Sequence, residues 1–146
     1  MKLLRKAQWL IIPALLCTTL FVLMKTVLFL GYVPSSSMEP TIPAESWILG
    51  YRLYEELKTG DIVIFERNNK TLVKRIAAMR GDTVYLNDVT GEVCVNKPVG
   101  SATRILRVPE DSCFLLGDNS KDSIDARYWN EPFINCSQIL AVIIFK

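Results

Sequence analysis

The sequence predicts a mostly β fold: a compact, barrel-like β domain carried behind one N-terminal transmembrane helix. Three observations lead to it. The one long apolar run lies at the N-terminus, behind a short basic head. From Ile42 onward, short β-prone runs alternate with Gly, Asn, Asp and Pro turn chemistry. The chain has 146 residues, enough for one domain, and shows no repeat and no low-complexity tract.

The head, residues 1–6, carries Lys2, Arg5 and Lys6. Ala7 to Met24 is free of charge, and the apolar character resumes after Lys25 as far as Val33. Crossing a bilayer core takes ~20 apolar residues at ~1.5 Å rise each, so residues 7–33 are expected to form the anchor. Lys25 can snorkel to the interface, and Pro13 is tolerated in a membrane helix. A cleaved secretory signal is the competing reading. Against it, Thr18 to Val33 contains no A-x-A site, the run exceeds a signal h-region, and Leu16 before Cys17 is a poor lipoprotein cleavage site. The basic head places the N-terminus on the cytoplasmic side and residues 34–146 outside.

The strands follow in order. Trp47–Tyr51 is the first expected strand, with one helical turn over Leu53–Leu57. Asp61–Phe65 and Thr71–Ala78 flank an Asn68-Asn69 hairpin turn. Thr83–Leu86, Glu92–Val95, Ile105–Val108 and Cys113–Leu116 are short strands, and Gln138–Phe145 is the last.

Composition excludes several functions. A net charge of +2 gives no electrostatic case for nucleic acid. Histidine is absent, which removes a Ser-His-Asp triad, a Cys-His pair and a His-ligated metal within this chain. Four cysteines, at 17, 94, 113 and 136, form no C-x-x-C pair. In an oxidising compartment, Cys94, Cys113 and Cys136 allow one disulfide and leave one thiol; buried free thiols are the equal alternative.

Three polar islands stand out: Pro34-Ser35-Ser36-Ser37-Met38-Glu39-Pro40-Thr41, Val73-Lys74-Arg75 with Gly81-Asp82, and Gly117-Asp118-Asn119 through Trp129. Proline resists helix, so Ser37 is expected on an extended or turn backbone, either as a presented nucleophile or within a plain linker. A serine nucleophile without histidine needs another base. Lysine qualifies once burial lowers its pKa from ~10.4. Lys74 lies among Leu72, Val73, Ile76, Ala77 and Ala78, and on a strand it shares a face with Leu72 and Ile76, while Arg75 points the other way. A surface lysine on an edge strand is the alternative.

Together the islands resemble type I signal peptidases, the membrane-bound Ser-Lys endopeptidases of the S26 type. Ser35 to Thr41 is similar to the family's S-x-S-M-x-P-T box, and Lys74-Arg75 with Gly81-Asp82 to its lysine box. Gly117-Asp118-Asn119 with Ser123-Ile124-Asp125-Ala126-Arg127 is similar to its last box, and Gly60-Asp61-Ile62-Val63 to a short box between. The boxes span most of the chain in order, behind an anchor. The family's endoplasmic-reticulum branch uses histidine as base, so this chain sides with the lysine branch.

The resemblance implies a signal-peptidase-like β domain over 34–146, with Ser37 as nucleophile and Lys74 as general base. It implies Ser35 at the oxyanion hole with the Ser37 N–H, and Ser123 orienting the lysine. Asp125 would pair with Arg127 or Arg75, Asp118 and Asn119 would shape the last loop, and Met38 would pack beneath the site. Val33, Ile42, Leu72 and Val73 would line pockets for small side chains. It implies no metal or cofactor, a bilayer and preprotein signal peptides as partners, and the bacterial inner membrane as location, with a mitochondrial inner-membrane relative as the distant alternative. Arg80 stands where proline is common, and Asn130 replaces a frequent glycine. The stretch between Gly81-Asp82 and Gly117 is short, which reduces the second β region to a hairpin or two. Small relatives in conjugation systems process pilin precursors, so a dedicated propilin peptidase is a second reading. A membrane-tethered β domain that only binds is a third.

Overall fold

The computed structural model describes residues 2–144, with side chains from Trp9 onward. Helix α1 spans Lys2–Val27, and ten strands follow among the described residues: β1 Leu28–Val33, β2 Ser46–Tyr51, β3 Ile62–Arg67, β4 Lys70–Met79, β5 Thr83–Leu86, β6 Val93–Val95, β7 Arg104–Arg107, β8 Ser112–Leu116, β9 Phe133–Asn135 and β10 Ile139–Ile143. A 3-10 turn, Cys136–Gln138, separates the last two. The fold is mostly β, as the turn spacing predicts.

Within α1, Trp9–Val27 is long and apolar enough to cross a membrane, with mean hydropathy 2.1, and none of it is buried against the rest of the protein. Thr18 donates its hydroxyl to Ala14 O at 2.8 Å, and Thr26 to Val22 O at 2.9 Å. Both hydroxyls are thus satisfied on the helix itself. Met1 lies outside the described residues.

The apolar run expected as one anchor over 7–33 divides in two. The helix stops at Val27, and Leu28–Val33 pairs antiparallel with β2, from Leu28 opposite Tyr51 to Val33 opposite Ser46. Aromatic and aliphatic residues serve a strand as well as a helix, and here a six-residue partner decides between them. Arg52 clasps the junction. Its N–H donates to Val27 O at 2.8 Å, its Nε to Leu28 O at 3.1 Å, and its guanidinium lies 4.8 Å from the Phe29 ring centre. Ser37 is therefore a whole strand away from the helix end.

Seven strands form one antiparallel sheet in the order β1-β2-β10-β3-β4-β8-β9, and three form a second, β6-β5-β7. Strand β3 is central and buried on both faces, which is why it reads as an unbroken apolar run. Ile62 and Ile64 join Val33, Met38, Ile42 and Ile48 in one core; Val63 and Phe65 join Ile76, Cys113, Leu115 and Ile134 in another. A third core, around Ala78, Val84, Val108, Phe114 and Ala126, fastens the small sheet to the large one.

The Asn68-Asn69 turn has both residues at positive φ (50° and 58°), the twist a tight hairpin needs. Two further elements differ from the expectation. Leu53–Leu57 forms no helical turn, and Phe133–Asn135 adds a short edge strand beside β8. Phe145, expected at the end of the last strand, lies outside the described residues.

Gly50 lies where β2 closely approaches side chains of β10 and β3. A Cβ there would meet Ala141 Cβ and Ile64 Cδ1, both at 2.9 Å. Gly50→Ala is expected to destabilise the domain by about 1–3 kcal/mol in denaturant unfolding, the usual effect of overpacking.

Candidate active site

Ser37 follows β1 on a short turned segment. Glu39 N–H donates to Ser36 O at 3.0 Å and Ile42 N–H to Met38 O at 2.9 Å, while Met38 is fully buried below. Lys74 sits in the middle of β4, opposite Val63 of β3. Its Nζ lies 2.6 Å from Ser37 Oγ, and Lys74 and Ser37 are only 4% and 7% exposed. The Ser35 hydroxyl is 3.4 Å from that of Ser37.

Burial pushes the Lys74 amine below its ordinary value. Asp125 and Asp118 pull it back up, and Arg127 pushes it down again. Each of these carboxylates already has its own cation. Asp125, fully buried, accepts from Arg127 Nε and Nη2 at 2.8 Å each and from the Gly117 N–H at 2.9 Å. Burial works against the Asp125 carboxylate, but these donors outweigh it and hold its pKa below the ordinary range. Asp118 likewise stays low against its desolvation, through Arg75, whose Nε and Nη2 reach it at 2.8 and 2.6 Å.

Arg75 also donates to Gly60 O at 2.7 Å and to Thr41 Oγ1 at 3.4 Å. One guanidinium thus ties three chain segments together. Asn119 grips the serine segment directly: its N–H donates to Ser37 O at 3.1 Å and its side-chain amide to Ser36 O at 3.2 Å. Gly117 is buried where these segments meet. A Cβ there would collide with the Ser123 side chain and would lie 2.5 Å from Ser37 O, so no other residue fits. Ser123 is buried; its hydroxyl makes no hydrogen bond of good geometry among the described residues, yet it lies near enough to Asp125 to help hold that carboxyl low.

A cleft of about 120 Å³ opens beside Ser37 and Lys74, lined by Val33, Ser35, Leu72 and Val73 among others. The arrangement is that of a hydroxyl beside a largely dehydrated amine, next to a groove that admits small groups.

The family described as Signal peptidase, peptidase S26 matches this chain over residues 5–104 and 92–146. The chain belongs to this family. It is 31% identical over 136 residues to Signal peptidase I of Bacillus amyloliquefaciens, covering 77% of this chain and 73% of that one. It is 31% identical over 137 residues to Signal peptidase I of Bacillus licheniformis, covering 77% and 74%. It is 32% identical over 120 residues to Probable signal peptidase I-2 of Synechocystis, covering 67% of this chain and 54% of that protein. This signal peptidase family member therefore spans about half the length of the cyanobacterial relative and about three quarters of the two Bacillus relatives.

Most residues singled out in the sequence come together in this S26 chain, with two differences. Of the two partners expected for Asp125 it takes Arg127, while Arg75 takes Asp118. Ile42 does not line the cleft; it is buried in the core with Met38 and Val33. Ser123 does not hydrogen-bond Lys74. Two contributors escaped the sequence. Thr41 lies inside the serine box, but nothing in the pattern pairs it with Arg75. Arg104 of β7 donates to Arg127 O at 2.8 Å while its side chain holds Asp88, so the small sheet braces the last loop. No motif surrounds Arg104.

Two outcomes follow for this signal peptidase family chain. Asp125→Ala leaves Arg127 buried without its anion and is expected to destabilise the domain by about 3–5 kcal/mol in denaturant unfolding. Because the folded Asp125 pKa is below its unfolded value, this contribution is complete above about pH 4 and is lost as pH falls through the folded value. Lys74 gives a pH slope of the same sign in a higher range, but as a cost to stability and not a gain. Its folded pKa is lowered, so the unfolded chain binds the proton more readily and stability rises with pH up to about 10.4. Lys74→Met is expected to exceed the parent in melting temperature near pH ~6, with an advantage that shrinks as pH rises.

Proposed function

We propose that this chain is a membrane-anchored serine endopeptidase that removes signal peptides from exported preproteins, cleaving after small residues. One observation carries the reading: the Lys74 amine lies 2.6 Å from the Ser37 hydroxyl, inside the protein, in a chain without histidine. Family membership supports it.

In the proposed mechanism Lys74, neutral because it is buried, takes the Ser37 proton as Ser37 Oγ attacks the scissile carbonyl carbon. The oxyanion is held by the Ser37 N–H and the Ser35 hydroxyl. The C–N bond then breaks, the Lys74 ammonium returns the proton to the leaving amine, and Ser37 is left as an ester. Water attacks that ester, Lys74 takes the water's proton, and the free acid and serine are restored. The unpaired Ser123 hydroxyl accepts from the lysine amine as it turns between these partners. Asp125 with Arg127, and Asp118 with Arg75 and Asn119, are positioning residues.

The substrate lies extended between Val33–Ser35 and Thr71–Val73, adding main-chain hydrogen bonds. The cleft's size excludes large side chains. The helix anchors the chain in the bacterial inner membrane with its N-terminus in the cytoplasm and the β domain outside. The small second sheet, of only three short strands among the described residues, favours a narrow substrate range, as for a dedicated propilin peptidase.

Cleavage of a secretory preprotein, and separately of a pilin precursor, by the detergent-solubilised full chain tests this. Ser37→Ala and Lys74→Ala are expected to lower the rate at least ~10³-fold with membrane insertion intact. In the parent, kcat/KM is expected to rise with pH through one ionisation below ~10.4, and EDTA is expected to leave the rate unchanged. Cleavage of the pilin precursor alone supports the narrow range. Normal cleavage by either variant rejects the dyad.

A further inference from the structure

The four cysteines take no part in this chemistry, and two of them meet away from it. Cys113 lies fully buried on β8, and Cys136 is half-buried at the start of the 3-10 turn after β9. The ladder pairs Ser112 with Asn135 and Cys113 with Ile134. It is extended by Cys136 N–H donating to Asp111 O at 2.7 Å, so Cys136 stands diagonally across from Cys113. Both thiols are free in this structure, with Cys113 Sγ donating to Ile134 O at 3.5 Å, and Cys136 lies near enough to help raise the Cys113 thiol. Cys94 is on β6 in the other sheet, and Cys17 is on α1.

We propose that Cys113 and Cys136 are joined by a disulfide in the mature protein, fastening the edge strand β9 to β8 across the foot of the last loop. The inference rests on the reading above only in placing this domain in an oxidising compartment. The segment so closed carries Gly117, Asp118, Asn119, Ser123, Asp125 and Arg127. It returns through β9, a three-residue strand at the sheet's edge whose one strand partner among the described residues is β8. A strand that short holds a loop weakly, and a covalent cross-link is the remedy.

The chemistry is thiol–disulfide exchange with a small disulfide such as oxidised glutathione. Cys136 attacks first, because an open cavity of about 610 Å³, lined by Tyr54, Met79, Asp111 and Ser112 among others, reaches it. Its thiolate bonds to one glutathione sulfur and releases the other as a thiol. Cys113 then attacks the Cys136 sulfur, loses its proton to solvent and releases the second glutathione thiol. Burial pushes the Cys113 thiol up to about 12, so this second step is the slow one.

The test is incubation of the detergent-solubilised full chain in an oxidising glutathione buffer, followed by alkylation, intact mass and a non-reducing peptide map. The expected result is two alkylated cysteines, a linked Cys113–Cys136 peptide pair, and a melting temperature that falls on adding a reductant. In Cys136→Ala, which leaves the buried Cys113 in place, the melting temperature is expected to be indifferent to reductant. Four alkylated cysteines, or a link that includes Cys94, overturns the proposal. Precursor cleavage is read separately: a chain that forms the bond but cleaves nothing loses the peptidase reading and keeps this one.

Discussion

The constraint on which the rest depends is a lysine amine held out of water against a serine hydroxyl. A lysine in solvent is protonated near neutral pH and useless as a base. Lys74 is lowered by burial, yet two carboxylates stand close enough to undo that effect. Arg127 occupies Asp125 and Arg75 occupies Asp118, each through two hydrogen bonds from one guanidinium. The pairs leave little net charge near the amine. An unpaired carboxylate in either place would favour the ammonium form.

The same groups also fix position. The serine segment, β4 and the last loop are far apart in sequence and are brought together by a few directed bonds. Arg75, on β4, reaches Thr41, Gly60 and Asp118; Asn119 holds the carbonyls of Ser36 and Ser37; Gly117 lets Ser123 and the Ser37 backbone approach as closely as they do. Behind them lie β3, buried on both faces, and β4, which carries Lys74 and Arg75 on regular structure. Rigid strands place a functional group more closely than loops do. Among the described residues, the Ser123 hydroxyl is the one buried side-chain polar group that the packing leaves unsatisfied.

Much of this was legible in the sequence, for physical reasons that differ by element. The Asn68-Asn69 hairpin and the strands about it follow from turn chemistry and β-propensity, and the apolar neighbours of Lys74 at period two allowed a buried amine, with a surface lysine on an edge strand as the alternative. The division of the N-terminal run at Val27 was not legible, because Leu28–Val33 is apolar enough for a membrane helix and its strand partner lies in a distant segment. The β9 strand was missed because three residues carry no period. Partner choice among charges was legible only in kind. The family resemblance put Asp125, Asp118, Arg75 and Arg127 in one neighbourhood, but which carboxylate meets which guanidinium depends on the loop's path. Arg104 lay outside every motif, and only the fold shows that it supports Arg127 O.

The most direct test of a neutral-lysine base is the rate at which a small acylating electrophile modifies Ser37, followed by mass spectrometry across pH in the folded protein. The account predicts an adduct on Ser37 alone, forming at a rate that rises through a single ionisation below ~10.4 and becomes flat and slow in Lys74→Met. An adduct on Ser35 or Ser36, or a rate on Ser37 that is the same with methionine at position 74, would contradict it.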